Sequence, residues 1–202
     1  MVDLVPKFRL PPNRPEIIFV ADRSGSMCDQ IPTLRSALRT FVKSLPFGVK
    51  FNILSFGSEY SFPWPKSKGY TSESVTQAME HIETFSSNMG GTRTYAAIRA
   101  ASEKRFPDIC GEILLLTDGD IWDQQELFDY LNETVGDELR VFTLGIGSQV
   151  SSALIEGVAR AGKGFAQMVI AGETMDKKVV RMLKGALSPH ISGLTMEVKY
   201  GS

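Results

Sequence analysis

Residues 17–26, Ile17-Ile18-Phe19-Val20-Ala21-Asp22-Arg23-Ser24-Gly25-Ser26, decide how this chain folds. The first five are apolar and indicate a fully buried strand. The next five form a short, glycine-containing turn that carries one carboxylate and two hydroxyls at the carboxyl end of that strand. Because oxygen atoms are the ligands that hard cations such as Mg²⁺ prefer, the turn is a candidate for one corner of a cation site.

Beyond this turn, apolar strand patterns alternate with amphipathic helical patterns. Strands are predicted at 16–21, 49–56, 60–64, 112–117, 140–146 and 165–170, and helices at 30–45, 72–85, 95–104, 123–133, 152–161 and 174–187. This alternation predicts an α/β fold, doubly wound, in which a mostly parallel six-stranded sheet has helices on both faces. The return between the second and third strands is short, so the third is expected to be an antiparallel edge strand.

Composition excludes several classes of protein. The chain has 202 residues, 43% hydrophobic and 22% charged, which is typical of one globular domain. Its 22 basic and 23 acidic residues give a net charge of -1, which provides no electrostatic basis for binding nucleic acid. No apolar run is long enough for membrane insertion. The two cysteines, Cys28 and Cys110, predict free, buried or half-buried thiols, and the expected location is cytoplasmic.

Two further loops complete the candidate cation site. If the strand order is 3-2-1-4-5-6, strands one and four are neighbours, and Asp22 faces Asp118 across the point where the order reverses. Two close carboxylates repel each other unless a cation lies between them. Ser24, Ser26 and Thr92 would add neutral oxygens. Since Mg²⁺ takes about six oxygen ligands, one position stays open for an acidic group of a partner.

Four motifs together resemble the metal-ion-dependent adhesion site and core of von Willebrand factor A domains. They are Asp22-Arg23-Ser24-Gly25-Ser26, Gly90-Gly91-Thr92, Leu116-Thr117-Asp118-Gly119 and the segment 141–147. The resemblance implies a Rossmann-like sheet and a non-enzymatic module that binds a protein ligand through an exposed Asp or Glu carboxylate. It implies Ser24, Ser26 and Thr92 as direct or switchable metal ligands, with Asp22 and Asp118 often acting through water. Mg²⁺ is the expected ion, with Mn²⁺ or Ca²⁺ as alternatives.

The resemblance also suggests how the chain is organised. Residues 16–187 would be the A domain, 1–15 an extended, proline-containing linker, and 188–202 a strand-like tail leading to a neighbouring domain. Both flanks resemble those of proteins that place a VIT (inter-alpha-trypsin-type) domain before the A domain. We therefore expect this chain to be part of a larger multidomain protein.

Other interpretations of the same residues stay open. The metal could merely brace the loops of a structural domain, or Asp22 could be the nucleophile of a Mg²⁺-dependent phosphate-handling enzyme. Asp22 alone could be a turn cap. Arg23 is expected at the rim of the site, and Asp120 either on the surface or next to the metal, which it would then contact through water.

Three aromatic residues, Tyr60, Tyr95 and Trp122, are expected near the same face. Exposed there, they would anchor a partner; otherwise they are packing residues. The Gly145-Ile146-Gly147 stretch lacks the third glycine of a dinucleotide fingerprint, and neither His81 nor His190 belongs to a hydrolase motif.

Overall fold

The computed structural model describes residues 14–136, 138–148, 150–170, 173 and 175–190. The described strands are β1 Glu16–Asp22, β2 Lys50–Phe56, β3 Tyr60–Ser61, β4 Lys68–Gly69, β5 Gly111–Thr117, β6 Leu139–Ile146 and β7 Lys163–Val169. The described α-helices are α1 Ile31–Lys43, α2 Ser72–Glu83, α3 Thr94–Lys104, α4 Gln124–Thr134, α5 Ser152–Ala161 and α6 Asp176–Ala186. A 3₁₀ helix at Gly25–Gln30 precedes α1, where a single helix was predicted from residue 30.

The sheet has the predicted order, β3-β2-β1-β5-β6-β7. β1 pairs in parallel with both β2 and β5, and β5, β6 and β7 continue the parallel sheet. The antiparallel edge strand is confirmed as β3, although it is only two residues long. Among the described residues the sheet has seven strands instead of the predicted six, because β4, a second two-residue strand, also pairs antiparallel with β2.

Two apolar layers bury the two faces of the sheet. Alternate residues of β1 point to opposite layers: Phe19 belongs to the layer that includes α1, α2 and α6, and Val20 to the layer that includes α3, α4 and α5. All seven residues of β1 are buried, as are all seven of β5. Burial on both faces is why the two strands are almost continuously apolar. Because β1 and β5 are parallel neighbours, the loops that follow them lie side by side.

Several sequence predictions are not addressed by these elements. The expected linker at 1–15 and the strand-like tail at 188–202 lie almost wholly outside the described residues.

Cys110 is half-buried as expected, but Cys28 is exposed, and both thiols are free. Within the described ranges, no helix combines the length and apolar character needed to cross a bilayer.

Candidate metal centre

Asp22 ends β1, and its carboxylate is fully buried. One carboxylate oxygen, Oδ1, accepts a 2.9 Å hydrogen bond from the Ser24 N–H, which closes the turn. The other, Oδ2, accepts a 2.6 Å hydrogen bond from the Thr117 hydroxyl at the end of β5. Both donors are neutral, so the carboxylate is oriented by the protein but its charge is not compensated.

The two serines of the turn point their hydroxyls toward each other. The Ser24 and Ser26 Oγ atoms are 3.0 Å apart and share a hydrogen bond. Ser24 is buried, whereas Ser26 is exposed at the start of the 3₁₀ helix. Two hydroxyl oxygens at this spacing, one of them open to solvent, are suited to neighbouring positions around one cation.

Thr92 belongs to a second loop that backbone bonds hold against the turn. The Gly25 N–H donates to the Gly90 carbonyl at 2.8 Å, and the Met89 N–H donates to the Arg23 carbonyl at 3.1 Å. Gly90 has φ +79°, a conformation that favours glycine and turns the chain toward Thr92. Thr92 itself is 1% exposed. Main-chain hydrogen bonds therefore hold the second loop against the turn that contains Asp22.

Asp118 follows β5 directly and is half-buried. With Ser26 it lines a small cavity of about 190 Å³ between the 3₁₀ helix and the loop after β6. Asp118 Oδ1 accepts a 3.3 Å bond from the Asp120 N–H, and Asp120 is exposed, as expected. The third loop thus presents one carboxylate toward the turn and a second toward solvent.

The charges at the carboxyl ends of β1 and β5 favour the binding of a cation. The pKa of Asp22 is raised from 3.8 to about 6, chiefly by burial and in smaller part by the negative charge of Asp118. Hydrogen bonds from Ser24 and Thr117 oppose this pKa shift without cancelling it. Among the described residues, no Lys, Arg or His forms an ion pair with either carboxylate.

Arg23, expected at the rim, lies instead beneath the loops. Its guanidinium is 4.6 Å from the Phe85 ring centroid, and it donates to the Ser86 carbonyl at 3.1 Å and to Asn88 Oδ1 at 2.9 Å. Burial, together with the charge of Arg35, lowers its pKa. Arg23 therefore links the first loop to the second and forms no ion pair with Asp22.

The three aromatic residues near this face differ in exposure. Trp122 is 69% exposed and Tyr60 is 50% exposed, whereas Tyr95 is half-buried and packs edge-on against Tyr130 with ring centroids 5.6 Å apart. Trp122 and Tyr60 therefore meet the condition for interface anchors, and Tyr95 is partly a packing residue.

Thr117 and Ser58 are site residues that the sequence reasoning missed. Thr117 orients Asp22, and Ser58 Oγ accepts the Gly91 N–H at 2.8 Å, which supports the loop that carries Thr92. Thr117 stands next to Asp118 in the quoted motif, and a hydroxyl at a strand end beside a carboxylate was the available signal. For Ser58, the contact spans 33 residues, and no local pattern predicts it.

The donor set also defines which ions fit. In the part of the chain that the structure describes, no three His, Cys, Asp or Glu side chains cluster in a way that would hold a metal. The candidate site consists of two carboxylates and three hydroxyls, an all-oxygen set suited to Mg²⁺, Mn²⁺ or Ca²⁺. It offers no nitrogen or sulfur ligand of the kind that dominates structural zinc sites.

Comparisons with known sequences give a consistent family match. A family profile described as von Willebrand factor type A domain matches residues 15–168. A von Willebrand factor A domain-containing protein of Dictyostelium discoideum is 34% identical over 202 residues, covering 97% of this chain and 22% of that protein. Human von Willebrand factor A domain-containing protein 5A is 32% identical, covering 90% of this chain and 24% of that protein. The chain thus spans about a fifth to a quarter of the relatives' length.

Solved structures share the fold. A von Willebrand factor type A protein from Catenulispora acidiphila superposes with a TM-score of 0.75 at 19% identity, covering 84% of this chain and 42% of that one. Proximal thread matrix protein 1 from the mussel byssus, in a form whose metal-ion-dependent adhesion site (MIDAS) motif is occupied by zinc, superposes with a TM-score of 0.68 at 18% identity. That match covers 87% of this chain and 48% of the other.

Proposed function

This chain belongs to the von Willebrand factor type A domain family, and we propose that it is a non-enzymatic module that binds an acidic group of a partner protein through a divalent cation. Domains of this family are commonly protein-interaction modules. The proposal goes further than family membership because it assigns the cation, its ligands and the chemistry of the partner.

One observation carries the proposal: Asp22 is a fully buried carboxylate that lacks a basic partner among the described residues. A buried charge is costly unless it is paired or coordinates a metal. The charge that acts on the pKa of Asp22 is that of Asp118, which has the same sign. A divalent cation beside Asp22 would compensate both carboxylates.

The ligands we propose are Ser24, Ser26 and Thr92 directly, with Asp22 and Asp118 acting largely through water. Mg²⁺ keeps several waters and accepts such a mixed set, and Mn²⁺ and Ca²⁺ are the alternatives. When bound, the ion would supply a Lewis-acidic position that a carboxylate can occupy. The zinc-occupied motif of the mussel byssus protein supports metal binding in this fold, although the oxygen donors here favour a harder ion.

The partner's carboxylate would approach from the Ser26 side. Ser26 is the exposed hydroxyl of the set, whereas Asp22, Ser24 and Thr92 are buried. An open position on the ion would therefore be reached from solvent next to the 3₁₀ helix. A protein segment that exposes Asp or Glu is the ligand this arrangement suits, and the whole multidomain protein, including any VIT domain, would set which segment it meets.

The two alternative functions are weaker on particular observations. A purely bracing metal is less needed because main-chain bonds from Gly25 and Met89 already join the first two loops, and Thr117 joins the first to the third. A nucleophilic Asp22 would have to reach a substrate, yet this carboxylate is fully buried. Arg23 could hold a phosphate only after leaving Phe85, Ser86 and Asn88.

Calorimetric titration of the metal-free chain with MgCl₂ and with MnCl₂ tests the proposal. We expect one binding event, absent in Asp118→Ala and unchanged in the matched control Asp108→Ala, an exposed aspartate before β5. A blocked pentapeptide with a central aspartate should then bind only in the presence of the ion, and its asparagine counterpart should not. No metal binding by the wild type would sink the proposal, and metal binding without peptide binding would favour the bracing role.

A further inference from the structure

A groove adjoins the candidate metal centre on the side of Thr92. Its cavity of about 470 Å³ is lined by Thr92, Arg93, Tyr95, Trp122, Asp123 and Glu126, together with Ala96, and we call it the Trp122 groove. A second cavity of about 270 Å³ shares Tyr95 and Ala96 with it and extends along α3 toward Tyr60. Because Thr92 belongs to both the groove and the proposed ligand set, a chain bound at the metal would continue into the groove.

Trp122 is held in place although it is exposed. A Cβ on Gly91 would lie 3.0 Å from the Trp122 ring, so the indole covers the main chain next to Thr92. Its Nε1 donates to Asp120 Oδ2 at 3.3 Å, and the Asp120 N–H in turn donates to Asp118. The indole thus spans the second and third metal loops. A preorganised aromatic surface loses little conformational entropy when a partner binds.

Charge divides the groove into two parts. Arg93 is exposed beside Thr92, and its side chain has no ion-pair partner within the described residues. Glu126 is exposed on the opposite wall, and Asp123 uses Oδ2 to accept the Tyr95 N–H at 3.0 Å at the start of α3. A carboxylate is therefore favoured at the Thr92 end, next to the cation and Arg93, and disfavoured at the α4 wall.

We propose that the Trp122 groove receives an aromatic side chain next to the metal-bound carboxylate of an exposed protein loop. This inference rests on the function proposed above. Neighbouring side chains of a straight strand point to opposite faces, but those of a turning loop can lie on the same side. Adjacent Cα atoms are 3.8 Å apart and Trp122 covers the residue next to Thr92, so a ring beside the bound carboxylate of such a loop reaches the indole. Trp, Tyr and Arg, the residue types that dominate binding energy at protein interfaces, all line this groove.

The test uses blocked pentapeptides with a central aspartate flanked on both sides by phenylalanine or by alanine, in the presence of saturating MgCl₂. Aromatic contacts of this kind predict roughly tenfold tighter binding of the phenylalanine peptide. Trp122→Ala, measured at a MgCl₂ concentration that calorimetry shows to saturate that variant, should bind the two peptides equally. The matched control is Phe47→Ala, which removes an 82% exposed ring between α1 and β2 and should leave the preference intact.

Tryptophan fluorescence provides a second measurement. The chain has two tryptophans, and Trp64 is 7% exposed, so a change in emission on peptide binding should come from Trp122. Equal binding of both peptides to the wild type would overturn the groove and leave the metal-binding proposal standing. Binding of the phenylalanine peptide with EDTA present would also overturn it, because the carboxylate would then not be the anchor. Absence of Mg²⁺ binding would remove the proposed function and the groove with it.

Discussion

Glu16 and Glu112 lie at the amino ends of β1 and β5, and both are fully buried. Arg140 donates to both oxygens of Glu112, at 2.6 and 3.0 Å, and His190 contacts the same carboxylate at 2.7 Å. Glu16 accepts from the Ser67 hydroxyl and from the Phe106 N–H. Burial raises the pKa of Glu112, and Arg140 opposes that shift. At this end of the sheet, Glu112 therefore pairs with a cation of the chain, whereas Glu16 has neutral donors among the described residues.

The carboxyl ends of the same two strands are different. Asp22 is as deeply buried as Glu112, but its hydrogen-bond donors are neutral and the charge that acts on its pKa is that of Asp118. Burial alone therefore does not mark a functional carboxylate, and neither do neutral donors, because Glu16 has both. The feature that distinguishes Asp22 is the second carboxylate, Asp118, whose negative charge acts on it without a compensating cation among the described residues.

The largest effect is expected where the chain supplies the partner. Glu112→Gln would leave Arg140 facing a neutral amide in a buried site, and breaking a buried ion pair costs about 3–5 kcal/mol. Urea denaturation should show this loss with and without Mg²⁺. The matched control is Glu138→Gln, which removes an exposed partner of Arg105 and should cost less than about 1 kcal/mol. A similar small loss for Glu112→Gln would mean that the two ends do not differ.

The pH dependence of the metal-free protein comes next in size. The pKa of Asp22 is about 6 in the folded chain against an ordinary 3.8, so the folded state holds an extra proton between those values. Stability contributed by that proton is fully present below pH 3.8 and is lost as the pH rises through 6. The difference corresponds to roughly 3 kcal/mol. Denaturation in EDTA across pH 4–7 should show this fall in wild type relative to Asp22→Asn, and parallel pH profiles would contradict it.

Magnesium should restore, at neutral pH, the stability that is lost when Asp22 ionises. At a concentration 100 times its dissociation constant, a ligand that binds only the folded state adds about 2.7 kcal/mol. Thermal denaturation should show this gain in wild type and none in Asp22→Asn, whose amide keeps an acceptor for the Ser24 N–H. Without metal, the variant should be at least as stable as wild type at pH 7, because a buried uncompensated charge is gone. An equal magnesium response in both proteins would exclude Asp22 from the site.

Local patterns were sufficient for the strand order and for the loops that meet at Asp22. The apolar runs of β1 and β5 are uninterrupted, whereas an amphipathic surface helix would have polar residues between its apolar ones. Right-handed crossovers between parallel strands then place residues 22 and 118 at the same edge of the sheet. The assignment of these residues as metal ligands stays a prediction. β4 was missed because two residues carry no periodicity.

Long-range contacts account for the rest of what was missed. The partners of Arg23, Phe85 and Asn88, lie more than 60 residues away in the sequence. Nothing near Arg23 in the sequence therefore indicated that its side chain would be buried, and it was expected at the rim. The pairing of Glu112 with Arg140 likewise depends on the register between β5 and β6, which directly opposes these two residues. Neither contact leaves a signal in the neighbouring sequence.

Arg23 allows the smallest and most discriminating test of the comparison, because it is a cation that lies near the uncompensated end without pairing with its carboxylates. Its bonds to Ser86 and Asn88 instead position the second loop, so Arg23→Met should weaken Mg²⁺ binding by roughly tenfold, equivalent to about 1.4 kcal/mol. Arg23→Lys keeps the charge but loses the forked geometry, and calorimetry should give it the same loss. Arg99→Met, which breaks an exposed pair with Glu103, is the matched control and should bind Mg²⁺ normally. If the lysine variant bound Mg²⁺ like wild type while the methionine variant did not, the charge of Arg23 would be acting on the site, and the carboxyl end would have a compensating cation after all.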